Sequence, residues 1–170
     1  MKGKAYVMTK KRFLLWVWRE VPFPDGVRHL FLRILNPSFM IGAMALIQDE
    51  QGRILVLEHT YRKQRPWGLP GGWLKTAESP EQGLAREVYE ETGYTVRVDA
   101  LLAAEFLQRS VLDLMYQCTV LSGTFHATDE TAQERWVAPA DLPELLPNQA
   151  AMLYRVGVHR RGRTGPTTPA

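Results

Sequence analysis

An α/β domain, with strands packed around one strongly specified helix, is what this sequence predicts. Three observations carry that expectation. The chain has 170 residues, enough for one domain with a proper core. Short apolar runs recur through its middle, each bounded by turn residues. Between them, residues 79–93 hold every local signal of a helix: Ser79 as N-cap, Pro80 at the first helical position, Gln82 to complete a capping box and Gly93 to end it.

The elements follow in order. Residues 1–36 read as an extension. It holds an apolar aromatic stretch from Phe13 to Trp18, a Pro22–Pro24 break and an Asp25-Gly26 turn. Leu30, Phe31 and Ile34 then stand at helical spacing. Such a segment is expected to cover the core or a partner subunit, the latter in a homodimer, rather than to lie on a membrane. The domain proper is expected over 37–158. Ile41 to Ile47 is nearly all apolar, as a strand buried on both faces would be. Asp49 to Gly52 is a turn, and Arg53 to Glu58 is a second strand, so the pair is expected to form a β-hairpin. A polar loop, Thr60 to Arg65, leads into a Gly/Pro-rich passage, Pro66 to Gly72. After the helix, strands are expected at Val96–Val98, Leu101–Leu107, Asp113–Gly123 and Glu134–Ala138. Short helices are expected at Asp141–Leu146 and Asn148–Val156. The tail 159–170 is basic, polar and rich in Gly and Pro, and is expected to be disordered.

Composition narrows the classes. Hydrophobic residues make up 45% and charged residues 23%, the profile of a globular protein, and no apolar run reaches a membrane span. Lys10, Lys11 and Arg12 precede only a short apolar stretch with no small-residue cleavage site, so export is not expected. One cysteine, Cys118, excludes an intramolecular disulfide; lying in an alternating apolar segment, it reads as a buried core thiol. These features favour the cytoplasm. The net charge of +3 is mild and gathered largely at the ends, which gives little reason to expect a nucleic-acid partner.

The chemistry is concentrated in the central helix. At 100° per residue, Leu84, Ala85, Val88 and Thr92 share one side. Glu87, Glu90 and Glu91 share the other, with Glu91 about 40° one way from Glu87 and Glu90 about 60° the other. Like charges so spaced repel, and the single arginine among them, Arg86, cannot neutralise all three. Clustered carboxylates are hard oxygen ligands suited to Mg²⁺. A solvated acidic face explains three glutamates equally well until their surroundings are considered. A Gly-rich turn, where a backbone can approach a ligand closely, lies just before the helix, and Arg62, Lys63 and Arg65 precede that turn.

These residues resemble the Nudix box. Its pattern is Gly-x5-Glu-x7-Arg-Glu-U-x-Glu-Glu-x-Gly-U, where U is bulky and aliphatic. Here Gly72, Glu78, Arg86, Glu87, Glu90, Glu91 and Gly93 match all seven fixed positions. A chance match at all seven is under about one in a million. The resemblance extends over residues 38–156; the one departure is Tyr94 at an aliphatic position. It implies a Nudix fold, an α/β/α sandwich with a mixed β-sheet, and hydrolysis of a nucleoside diphosphate linked to another group. Carried over residue by residue, it implies Glu87, Glu90, Glu91 and the Gly71 carbonyl as ligands of Mg²⁺, or Mn²⁺ in its place. Arg86 would orient the glutamates, and Glu78 would pair with Arg86. The base that activates water varies within the family: Glu87 and Glu91 are candidates, as is a glutamate from a later loop, here Glu130.

Outside the box the sequence is less specific. Arg62 and Arg65 are candidates to hold phosphates, and Trp67 to stack on a ring. His59, His29, His126 and His159 lack metal-ligand spacing and read as structural or exposed. The expected partner is a small nucleotide substrate. Two other readings stand beside hydrolysis of such a molecule: a non-catalytic nucleotide-sensing module, and a pyrophosphohydrolase acting on RNA 5′ ends. The retained box carboxylates argue against the first, and the absence of a broad basic, aromatic face argues against the second.

Overall fold

The structure, a computed structural model, describes residues 39–108 and 110–158. The expected extension 1–36, with its strand and short helix, and the tail 159–170 lie outside the described residues. Seven strands and two α-helices follow in order among those described. They are β1 (Met40–Ile47), β2 (Ile54–His59), β3 (Trp67–Gly68), β4 (Gly71–Trp73), α1 (Pro80–Thr92), β5 (Thr95–Gln108), β6 (Val111–Ser122), β7 (Thr131–Val137) and α2 (Pro147–Arg155). A single 3₁₀ turn, Pro139–Asp141, precedes α2.

The strands form two sheets. One is mixed, in the order β4-β1-β6-β5, with β1 parallel to β6 and the other pairs antiparallel. The other is antiparallel, in the order β3-β2-β7. Period-two alternation then divides the apolar residues between two cores. Ala43, Ala45 and Ile47 of β1, with Leu55 and Leu57 of β2, pack under Leu84 and Val88 of α1. Met44 and Leu46 of β1, with Ile54 and Val56 of β2, pack against Met152 and Leu153 of α2. Two helices therefore cover opposite faces, and the domain is the α/β/α sandwich expected. Truncating a side chain such as Leu84, fully buried beneath α1, would cost about 2–5 kcal/mol.

Three local expectations need correction. β1 and β2 are not a hairpin: they lie in different sheets and share only the bridge between Gln48 and Ile54. Strands buried on both faces need neighbours on both edges, and these come from farther along the chain: β4 and β6 for β1, β3 and β7 for β2. The turn itself is as read, closed by Asp49 accepting from the Gln51 and Arg53 amides. The two strands expected at 96–98 and 101–107 are one long strand, β5, with register shifts along it. One of those register shifts, between Val98 and Ala100, falls in the gap between the two expected strands. The helix expected at 141–146 is absent: the 3₁₀ turn ends at Asp141 and residues 142–146 hold no helix, because Pro143 and Pro147 bracket too short a run. Cys118 is buried as expected, at 1% exposure.

Candidate active site

α1 forms where the sequence places it. Ser79 accepts from the Gln82 amide at 3.2 Å, the Gln82 side chain accepts from the Ser79 amide at 3.0 Å, and Gly93 closes the helix in the left-handed conformation. Leu84 and Val88 seat the helix on the sheet, and that seating aims its carboxylates at the Gly71–Gly72 strand.

Gly71 has φ 141°, and a Cβ there would lie 2.2 Å from the Ala43 carbonyl oxygen. Only glycine allows β4 to press this closely on β1. A Cβ at Gly72 would lie 2.5 Å from Glu87 Oε2, so the Glu87 carboxylate rests directly on the bare backbone. The Gly71 amide donates to Glu91 Oε2 at 2.8 Å. Two helix carboxylates thus meet two consecutive glycines.

Glu91 departs from the outward acidic face read from helical spacing. It is 5% exposed, alongside the buried Leu84, Val88 and Thr92. The buried arc of α1 is simply wider than the apolar residues alone define. Burial pushes its carboxyl up to about 8; the Gly71 amide opposes this, while the charges of Glu87 and Glu130 add to it. Glu87 is half-buried and Glu90 is exposed.

Arg86 ties the loop to the helix. Its Nε and Nη2 donate to the two oxygens of Glu78 at 3.1 and 2.8 Å, a bidentate pair. Nη1 donates to Glu87 Oε1 at 2.6 Å and to Glu90 Oε2 at 3.1 Å. The Arg86 bonds, with help from the Lys75 amide, hold the Glu78 carboxyl down at about 2. In this conformation Glu87 and Glu90 lean to Arg86 while Glu91 turns inward. Among the described residues no three acidic, histidine or cysteine side chains close round one point. The donor set still suits a hard divalent cation: three carboxylates within one turn, one of them buried without a cation of its own.

The loop candidate Glu130 is brought to the site from far along the chain. The Thr60 amide donates to the Glu130 carbonyl at 2.9 Å, and the Thr131 hydroxyl donates to the Glu91 carbonyl at 2.6 Å. Glu130 is close enough for its charge to act on Glu91. Arg62 also lies near Glu91, and its Nη1 is buried with no hydrogen-bond partner. Arg65 is engaged elsewhere, in an ion pair with Glu144 at 2.9 Å. Trp67 packs against the α2-side core, with the Arg135 guanidinium 4.3 Å over its ring. Tyr94 packs on the α1-side core and donates to Glu134 at 3.0 Å, so the departure from an aliphatic residue leaves the box intact.

One neighbour was missed by sequence reasoning. His59 is 1% exposed, its Nδ1 lies 3.8 Å from Glu91 Oε1, and neither ring nitrogen has a hydrogen-bond partner. Burial and the nearby Arg62 charge lower its pKa to about 4, so the imidazole is neutral. Its place at the end of β2, two residues past the apolar run, was the only signal.

Comparison with known proteins agrees with this geometry. Residues 38–156 match the NUDIX domain. A "MutT-like protein" of Streptomyces ambofaciens is 30% identical over 135 residues, covering 76% of this chain and 86% of that one. A "CMP-5'-(N-acetyl-N-hydroxy-3-aminopropyl)phosphonate hydrolase" of Streptomyces rubellomurinus is 32% identical over 150 residues, covering 82% and 70%. The crystal structure of an ADP-ribose pyrophosphatase from Streptococcus suis superposes with a TM-score of 0.61 at 25% identity, covering 70% and 90%. Nudix hydrolases generally use divalent metal ions. With the box complete and the fold matched, the chain belongs to the NUDIX family and is an enzyme that acts on phosphorus-containing acid anhydrides.

Proposed function

We propose that this enzyme is a Mg²⁺-dependent pyrophosphohydrolase that cleaves the diphosphate linkage of a nucleoside diphosphate derivative by in-line attack of water. The observation that carries the reading is the meeting of Glu87 and Glu91 with the bare backbone of Gly71 and Gly72. That arrangement puts hard oxygen donors directly against a glycine strand. The relatives named for a CMP-linked phosphonate and for ADP-ribose support a nucleotide joined through an anhydride.

Glu87, Glu90, Glu91 and the Gly71 carbonyl would hold the divalent ion. Such an ion stabilises diphosphate charge and lowers the pKa of water. Arg86 holds Glu87 and Glu90 in place and is itself held by Glu78. Glu130, Glu87 and Glu91 are the candidates to take the proton from the attacking water; Glu130 is exposed and adjacent to Glu91, which suits a base that must reach solvent. Arg62, with a free buried guanidinium nitrogen, is the better placed of the two arginines to hold a phosphate, since Arg65 is paired. Residues 37–158 would be the catalytic domain, acting on a small nucleotide in the cytoplasm.

The test is a panel of ADP-ribose, NADH, dinucleoside polyphosphates, CDP-alcohols, nucleoside triphosphates and capped RNA, with product analysis in Mg²⁺ and in Mn²⁺. At least one is expected to be cleaved within its phosphoanhydride, and chelator should abolish turnover. No turnover of any, with either ion, would favour a nucleotide sensor instead.

A further inference from the structure

His59 ends β2 on the same parity as Leu55 and Leu57, so its ring enters the α1 side of the domain. Its backbone is held on both edges. The amide donates to the Pro66 carbonyl at 2.8 Å, and its register partner on β7 is Thr131, at a shift in the β2–β7 pairing. An irregularity of this kind re-aims a side chain. The Thr131 hydroxyl in turn donates to the Glu91 carbonyl at 2.6 Å. Thr131 thus joins the strand end that carries His59 to the helix turn that carries Glu91.

The two side chains face each other from these supports. The Gly71 amide engages Glu91 Oε2, and His59 Nδ1 stands 3.8 Å from Glu91 Oε1. That separation is beyond a hydrogen bond, and a shift of about 1 Å closes it. At the far side of the ring lies Gly68. A Cβ there would lie 2.5 Å from Arg62 Nη1, 2.9 Å from His59 Nε2 and 3.2 Å from Gln149 Oε1, so bare glycine lets three polar atoms gather. The Gln149 oxygen already accepts from the Leu69 amide at 3.1 Å. Arg62 Nη1 is buried without a partner and has only hydrogens to give. An imidazole at 1% exposure with neither nitrogen bonded is costly as mere filling, because an apolar ring would fill the same space.

We infer that His59 is a positioning residue of this enzyme: with Nε2 turned to Arg62, its Nδ1–H is aimed at Glu91 and holds that carboxylate in the orientation that takes the divalent ion. The inference rests on the proposed role of Glu91 as a metal ligand. A ligating carboxylate is ionised and only accepts, so the ring must present a hydrogen to it. The guanidinium only donates, so the opposite nitrogen must present a lone pair. Both neighbours therefore select one tautomer, protonated at Nδ1. Each Glu91 oxygen has a second lone pair, so a bond from His59 to Oε1 and one from Gly71 to Oε2 leave the carboxylate able to ligate.

The experiment has two arms on the whole chain, neither of which reads turnover. Nitrogen-15 NMR of the wild type in saturating Mg²⁺ should find the His59 proton on Nδ1. Mn²⁺ titration followed by electron paramagnetic resonance should show His59→Phe, which keeps a buried ring, binding about tenfold or more weaker than wild type. His59→Asn places an amide nitrogen near the position of Nδ1 and should recover most of that loss. A proton on Nε2, an unchanged affinity in His59→Phe, or equal losses in the two variants overturns the inference. If His59→Phe fails to melt cooperatively, the position of the proton in the wild type decides alone. Glu91→Gln is the control. Weaker Mn²⁺ binding there with none in His59→Phe removes this inference and leaves the metal reading standing. No weakening in either removes Glu91 from the ligand set, and this inference with it. A His59-dependent affinity without turnover of any substrate removes the proposed reaction instead.

Discussion

The Gly71 amide and the Glu91 carboxylate meet at 2.8 Å across twenty residues of chain, and this bond joins the glycine strand to the helix. It forms only because Gly71 adopts a φ of 141° with its α-carbon against the Ala43 carbonyl. Gly71→Ala should therefore destabilise the fold by at least about 2 kcal/mol, from strain at that φ and a backbone clash that no rotamer relieves. Urea denaturation measures it. A variant as stable as wild type would show that β4 does not press on β1 as described.

Glu91→Gln separates function from stability. Glutamine can still accept from Gly71, and it removes a carboxylate whose ionisation burial opposes. The variant is expected to melt at the wild-type temperature or above, while metal-dependent turnover falls by roughly a hundredfold or more. Melting and turnover read on one preparation decide it. Undiminished turnover would remove Glu91 from the proposed ligand set.

The reach of the sequence differs from residue to residue. Ser79, Gln82 and Gly93 act on their own helix within a few residues, so α1 and its limits were legible. The box residues were legible as a pattern, including the Arg86–Glu78 pair that the structure closes at 2.8 Å. Glu91 was assigned to the outer arc by its residue type; at 100° per residue it lies about 20° from Leu84, so the spacing already put it beside the buried face. The parallel pairing of β1 with β6 left no local trace, and neither did His59 beside Glu91. Each depends on strands brought together from distant parts of the chain.

Cys118 should behave as an inert thiol. It is 1% exposed within the α1-side core, and burial, with a smaller contribution from Asp99, pushes its pKa up to about 12. The thiolate is the reactive form. A chromogenic disulfide reagent at neutral pH should find no reactive Cys118 in the native protein and one equivalent after denaturation. Rapid native modification would contradict its burial.

Acid sensitivity should report the Arg86–Glu78 pair. The Glu78 carboxyl is held at about 2, against about 4.5 in an unfolded chain, chiefly by the Arg86 hydrogen bonds. A depressed folded pKa means that the unfolded state binds the proton first. The contribution is therefore fully present above about pH 4.5 and is lost as pH falls toward about 2. Glu78→Gln is neutral at every pH and lacks this contribution. Wild type should melt above the variant at neutral pH, and the gap should narrow steadily from pH 5 to pH 2 in melting curves taken at matched ionic strength. A gap that stays constant through that range would mean that Glu78 braces the loop by shape alone, and that Arg86 orients Glu87 and Glu90 without the charge of its partner.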